Sequence, residues 1–212
     1  MFMGAVTKDG KDIADRSREI VKTKISEVLG KNVILYSNEE MGIIERVVHA
    51  TADPEYSKLV VFDNNPIETG LVALNDNNPI IADISMVKAG IRYNDVMCTI
   101  SEKEVFELAK KEHITRAVAS IRASKELIDG GIVVIGNAPT ALLEVIRLNK
   151  EEGITPKLVV GAPVGFVKAA KSKELLRTTD IPSISTIGPK GGTPVAVSVI
   201  NGIIALSKNE RI

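Results

Sequence analysis

The sequence predicts a three-layer α/β fold, in which a mostly parallel sheet is covered by helices on both faces and preceded by an N-terminal helical pair. Two observations carry this expectation. From Leu59 onward, short β-rich runs alternate with helix-length amphipathic stretches. Such alternation requires crossover connections, which put helices on both sheet faces. The 212 residues contain no internal repeat, low-complexity tract or linker, so residues 1–212 read as one domain.

Residues 9–29 read as an amphipathic helix with the stripe Ile13, Ile20, Val21, Ile25 and Val28, and Gly30 as its stop. Ser17, four residues from both Ile13 and Val21, is expected on the inward side. Ser37 and Glu40 form a capping-box pattern ahead of Ile43, Ile44, Val47 and Val48, and Pro54 lies beyond the end of this second helix. Strands are expected at residues 59–62, 79–84, 96–100, 131–135, 157–160 and 183–187. Helices are expected at 66–74 behind Asn65, 102–129 with a break near His113, 139–152, 166–178 and 194–206.

Composition excludes several function classes. Twenty-seven basic residues offset twenty-seven acidic ones, and aromatics are 3% with no Trp, so neither a basic nucleic-acid surface nor base-stacking platforms are expected. No apolar run reaches the roughly 20 residues of a membrane span, and Lys8, Asp9 and Lys11 come too early for a signal peptide. The protein is therefore expected in the cytoplasm, with no membrane partner. Cys98 alone excludes an intrachain disulfide, and with only His49 and His113 beside it no zinc cluster is expected. Cys98 itself reads as a buried small hydrophobe. Residues 38–83 hold nine acids against two bases, whereas residues 84–212 hold eighteen bases against thirteen acids, so the C-terminal half is suited to an anion.

Two strand-to-helix junctions stand out, Gly136-Asn137-Ala138-Pro139-Thr140 and Gly161-Ala162-Pro163-Val164-Gly165-Phe166. Proline in a first helical turn gives up only an unused amide, and the remaining free amides suit a carboxylate. Neither junction has the dinucleotide fingerprint, and residues 188–193 lack phosphate-loop spacing. On the second helix, Gly42, Arg46, His49 and Asp53 share a face, pairing an anion clamp with an imidazole, the side-chain type that titrates near neutrality. The residues alone leave open a surface histidine beside a solvated arginine.

Arg46-Val47-Val48-His49-Ala50-Thr51-Ala52-Asp53, Gly136-Asn137-Ala138-Pro139-Thr140-Ala141-Leu142, Gly161-Ala162-Pro163-Val164-Gly165-Phe166-Val167 and Gly191-Gly192-Thr193 together resemble the precorrin-8X methylmutase family, in the right order over nearly the whole chain. The resemblance implies a Rossmann-like α/β/α fold and an isomerase of cobalamin biosynthesis that moves a methyl group from C11 to C12 of a corrin precursor. It implies no added cofactor, any cobalt belonging to the substrate, and a homodimer with sites near the subunit interface. His49 carries over as the acid/base residue, with Arg46, Ser17 and Arg116 as substrate-binding residues. The helix-entry turn adds Asn137, Ala138 and Thr140 as further binding residues, and Lys168, Lys171, Lys173 and Arg177 as a basic stretch for the substrate's carboxylates. Lys171 and Thr193 depart from the family pattern, so no family role carries over to either. The His-Ala-Thr-Ala-Asp wording leans to the cobalt-handling branch. A non-catalytic corrinoid-binding module is the alternative, but it would not need a histidine beside Arg46. A nucleotide or S-adenosylmethionine enzyme would need a glycine-rich first loop that is missing.

Overall fold

The computed structural model describes residues 7–210. Its helices are α1 (Lys8–Leu29), α2 (Asn38–Thr51), α3 (Tyr56–Leu59), α4 (Pro66–Asn75), α5 (Ser85–Gly90), α6 (Lys103–Lys111), α7 (Arg116–Ala123), α8 (Lys125–Ile128), α9 (Pro139–Glu152), α10 (Ala169–Leu176) and α11 (Thr193–Ser207). A 3-10 turn at Gly30–Leu35 joins α1 to α2. The strands are β1 (Val60–Asp63), β2 (Ile80–Ala82), β3 (Val96–Met97), β4 (Ile132–Ile135), β5 (Leu158–Gly161) and β6 (Ser183–Thr186). Every expected strand is present.

The sheet runs β1-β6-β5-β4-β2-β3, with β1 antiparallel to β6 and all other neighbours parallel. Chain order reverses between β2 and β4, the kind of switch point at which doubly wound sheets open a crevice beyond their strand ends. Alternation sorts the strand side chains: Ile80, Ala82, Ile132, Val134, Leu158 and Val160 face one core, and Ile81, Val133, Ile135 and Val159 the other. The first core lies under α4, α5 and α11, the second under α7 to α10.

The N-terminal pair forms an outer layer. Helix α11 packs on β4 and β5, α2 packs along α11, and α1 packs on α2. Helix α11 is apolar on most sides because it is covered from above and below, with Val195, Ala196, Val199, Ile200 and Ile203 all buried. Helix α2 starts with the expected capping box: Ser37 Oγ accepts from Glu40 N at 3.2 Å and Glu40 Oε2 accepts from Ser37 N at 2.8 Å. Helix α1 ends at Gly30, where φ is 56°.

Three expectations need correction. Only Ile25 and Leu29 of α1 are buried, whereas Ile13 and Ile20 stand 70% and 53% exposed. The expected helix at residues 166–178 begins later, at Ala169. The preceding residues 162–168 form an irregular loop instead, in which the Pro189 carbonyl accepts from Gly165 N and the Ala162 carbonyl from Gly192 N. Cys98 is half-buried rather than enclosed.

Helices α7 and α9 are joined by one buried carboxylate. Glu144 accepts from Arg122 Nε at 2.9 Å and from Arg147 Nη2 at 2.6 Å. Burial alone would raise its pKa, but the hydrogen bonds from Arg147 and Arg122 outweigh it and hold the carboxyl below its ordinary 4.5. A depressed folded pKa contributes stability that is present above the ordinary value and lost as pH falls through the folded one. Glu144→Gln is therefore expected to cost roughly 2 to 3 kcal/mol at neutral pH. The gap from the parent should close as urea denaturation is repeated at increasing acidity. A gap that stays constant into acid would exclude an ionised Glu144 as its source.

Candidate active site

The local sequence of α2 decides what His49 can do. Its stripe of Ile43, Ile44, Val47 and Val48 is buried against α11 and the sheet-side core, which turns His49 outward, and Ala52 in the left-handed region ends the helix one turn later. Helix α1 crosses this outward face, and Ser17 Oγ lies 3.1 Å from His49 Nδ1. A serine hydroxyl both donates and accepts, so it serves the imidazole in either tautomer and in the imidazolium form. Around the pair lies a cavity of about 490 Å³, walled by Ile13, Ile20, Val21, Val48 and Pro54 with Arg16 and Lys24 at its edge. The exposed apolar half of α1 is one wall of that cavity.

Arg46 is not in it. One turn earlier on α2, Arg46 lines a separate cavity of about 270 Å³ with Arg92, Asn201, Lys208 and Glu210. Gly42, placed on the same face by its spacing, is buried. Burial, then the guanidiniums of Arg92 and Arg18, lower the pKa of Arg46, with Glu210 opposing. The shared face thus holds two compartments.

The junction after β4 departs most from expectation. Its amides do bind a carboxylate, but the protein supplies it. Asp83, at the end of β2 and fully buried, accepts from Gly136 N at 3.1 Å, Asn137 N at 2.9 Å and Ala138 N at 2.8 Å. The amides of Asn137 and Ala138 are taken, which leaves the exposed Asn137 side chain as what this turn presents. Burial raises the Asp83 pKa, and the three amide hydrogen bonds oppose it. Arg116 opens α7, exposed and 4.8 Å above the Phe106 ring. Thr115 Oγ1, its neighbour, lies 3.3 Å from Thr140 Oγ1 and ties α7 to α9. These residues lie on the other side of the sheet from α1 and α2, outside the His49 cavity.

The precorrin-8X methylmutase family model matches residues 12–206. This chain belongs to that family. It is 68% identical over 209 residues to the cobalt-precorrin-8 methylmutase of Methanocaldococcus jannaschii, covering 99% of this chain and all of that one. It is 49% identical over 211 residues to the protein of the same name from Methanothermobacter thermautotrophicus, with both chains fully covered. The crystal structure of precorrin-8x methyl mutase from Thermus thermophilus superposes with a TM-score of 0.82 at 32% identity, covering 94% of this chain and 99% of that chain. The chain is accordingly a methylmutase, an isomerase of cobalamin biosynthesis. Among the described residues, no helix is long and apolar enough to cross a membrane.

Two lysines of this methylmutase hold the Gly191-Gly192 loop against the His49 end of α2. From outside, Lys190 Nζ pairs with Asp53 at 2.6 Å and with Glu55, and Tyr56 donates its hydroxyl to the Gly191 carbonyl at 3.3 Å. From inside, Lys173 Nζ donates to the Lys190 carbonyl at 2.7 Å and to Thr186 Oγ1 at 3.0 Å. Only glycine fits at 191, where a Cβ would lie 2.4 Å from the Ala162 carbonyl oxygen. Lys173 was expected in a solvent-facing basic stretch; it is fully buried because α10 starts late and turns that position onto β6. The strand-ending Asp83, after the apolar run Ile80-Ile81-Ala82, was the missed signal for an internal anion.

Burial, with Arg177 adding to it, pulls the Lys173 pKa down to about 8 from 10.5. Between those values the unfolded chain holds a proton that the folded chain has released, so the contribution of Lys173 to stability rises with pH. Urea unfolding of the parent and Lys173→Met from pH 8 to 10.5 should show the parent gaining on the variant. A difference that stays flat over that interval would contradict a buried, partly neutral amine.

Proposed function

We propose that this chain converts cobalt-precorrin-8 to the corrin product by moving the C11 methyl to C12 without an added cofactor, with His49 as the acid/base residue. The observation that carries this reading is the Ser17–His49 pair set in an apolar cavity between α1 and α2. The names of the relatives in Methanocaldococcus and Methanothermobacter support the cobalt-bearing substrate.

The chemistry asks little of the protein. A methyl shift within one molecule conserves all atoms, so neither a nucleophile nor a hydride carrier is required. A proton placed on the conjugated ring near the migrating methyl draws electron density toward the receiving carbon, and its return to the base restores neutrality. His49 moves that proton, Ser17 keeps the imidazole oriented through Nδ1, and Ile13, Ile20, Val21 and Val48 cover the ring face and exclude water. Arg46 binds a carboxylate arm farther out on the macrocycle, whereas Arg116, Thr140 and the Asn137 side chain lie across the sheet, outside this cavity. The protein works in the cytoplasm as a homodimer. The second copy covers the outer sides of the exposed Ile13 and Ile20, which wall the catalytic cavity, and Ile34 and Leu35 of the 3-10 turn beyond the end of α1, 86% and 73% exposed.

His49→Ala should lower turnover by about 10² to 10⁴ while retaining affinity for the product, since a proton donor contributes mainly in the transition state. Ser17→Ala should give a smaller loss. The assay is the absorption change of purified enzyme with cobalt-precorrin-8 and nothing else added. Turnover of His49→Ala within a few-fold of the parent would remove His49 from this role.

Sedimentation equilibrium should find a dimer at micromolar concentration, and Ile13→Asp with Ile20→Asp should give a folded monomer. A parent that sediments as a monomer overturns the dimer.

A further inference from the structure

The second cavity on α2 is built differently from the first. Arg46, Arg92 and Lys208 converge on it with a single carboxylate, Glu210, among its lining residues, and Arg18 adds its field to Arg46 from α1. Arg46 Nε is buried and has no hydrogen-bond acceptor among the described residues. A buried guanidinium donor left unmatched costs free energy, so the site is incomplete without an acceptor.

The scaffold holds this arrangement in place. Asn201 of α11 accepts from Arg92 N at 2.8 Å through Oδ1 and donates to the Gly90 carbonyl at 2.9 Å through Nδ2, which fixes the backbone that carries Arg92. Next to it, Gly202 has no side chain, and a Cβ there would meet Arg46 Cδ at 3.4 Å and Ile43 Cγ1 at 3.0 Å. The stem of Arg46 therefore lies along α11 and delivers its head to the same place as Arg92.

We propose that this cavity is a subsite for one carboxylate arm of the substrate, with Arg92 and Lys208 as its ligands beside Arg46. The proposal rests on the reading of the substrate as a corrin precursor rimmed by acetate and propionate arms. At about 270 Å³ the cavity falls below the roughly 300 Å³ at which pockets for drug-sized ligands begin, so it admits an arm and not the ring. Its Arg46 stands one helical turn from His49 on α2, and Arg18 follows Ser17 in sequence. A ring lying over Ser17 and His49 can thus send one arm past α1 to Arg46. A planar guanidinium at 92 gives the arm a paired donor, which a lone ammonium does not.

The test is a cycle between protein and ligand. Cobyrinic acid and its single-arm amides are titrated by absorbance against the parent, Arg92→Gln and Lys208→Gln. Arg92→Gln should weaken cobyrinic acid binding by about ten- to hundred-fold, and Lys208→Gln by less, with turnover at saturating substrate within a few-fold of the parent. One particular amide should bind the parent as weakly as cobyrinic acid binds Arg92→Gln, and should lose little more on that variant. Arg92→Lys, which keeps the charge, should fall between the two and also guards against a folding defect. Binding by Arg92→Gln within two-fold of the parent, or a loss that multiplies with every amide, overturns the subsite alone. A parent that binds none of these corrins overturns the substrate reading together with it.

Discussion

The buried carboxylate of Asp83 is the constraint from which the placement of the site follows. It sits where chain order reverses between β2 and β4, at the crevice that doubly wound sheets commonly use for ligands. Three backbone amides from the turn into α9 are spent on it. A carboxylate so deeply buried is tolerated only when hydrogen-bonded this fully, and a glycine at 136 lets the turn close over it with α5 and α11 nearby. With these three amides occupied by an internal carboxylate, they are not available to a ligand. The chemistry-bearing side chains gather instead on the outer helices.

Those helices owe their position to α11. A helix buried on most sides can serve as a floor for a further layer, and α2 takes that place by presenting Ile43, Ile44, Val47 and Val48 to it. The same register that buries this stripe aims His49 outward at α1 and Arg46 sideways toward Arg92. On helix α1, Ile13 and Ile20 remain uncovered next to the imidazole. An apolar wall beside an ionisable pair suits a flat, poorly hydrated ring with charged arms.

The excess of positive charge in the C-terminal half divides into groups with different fates. Arg122 and Arg147 are committed to Glu144 and its acidic neighbours, where they lock α7 to α9. Lys190 is committed to Asp53 and Glu55, and Lys173 is folded inside, so both serve the loop at Gly191. Around Arg46, Arg92 and Lys208 line a cavity in which Arg46 Nε finds no acceptor among the described residues. Net charge over a long stretch of sequence therefore overstated what faces a ligand.

Much of the fold was legible in the residues themselves. Six strands, the capping box at Ser37, the stop at Gly30 and the α9 boundaries follow from periodicity and local backbone chemistry, which depend on near neighbours in the chain. The short helices α3, α5 and α8 were not legible, since one turn leaves no period to read. His49 and Ser17 stood out as residue types in suggestive places, and four separated motifs were enough to suggest the family. What only tertiary structure decided was pairing at long range: that Ser17 meets His49 across 32 positions, and that Asp83 takes amides 53 to 55 positions away. It also decided that Lys173 points inward and that Arg46 and His49, neighbours on one helical face, open into different cavities. Sequence spacing sets the angle between two side chains on a helix, but what stands opposite each of them is chosen by the packing of distant elements.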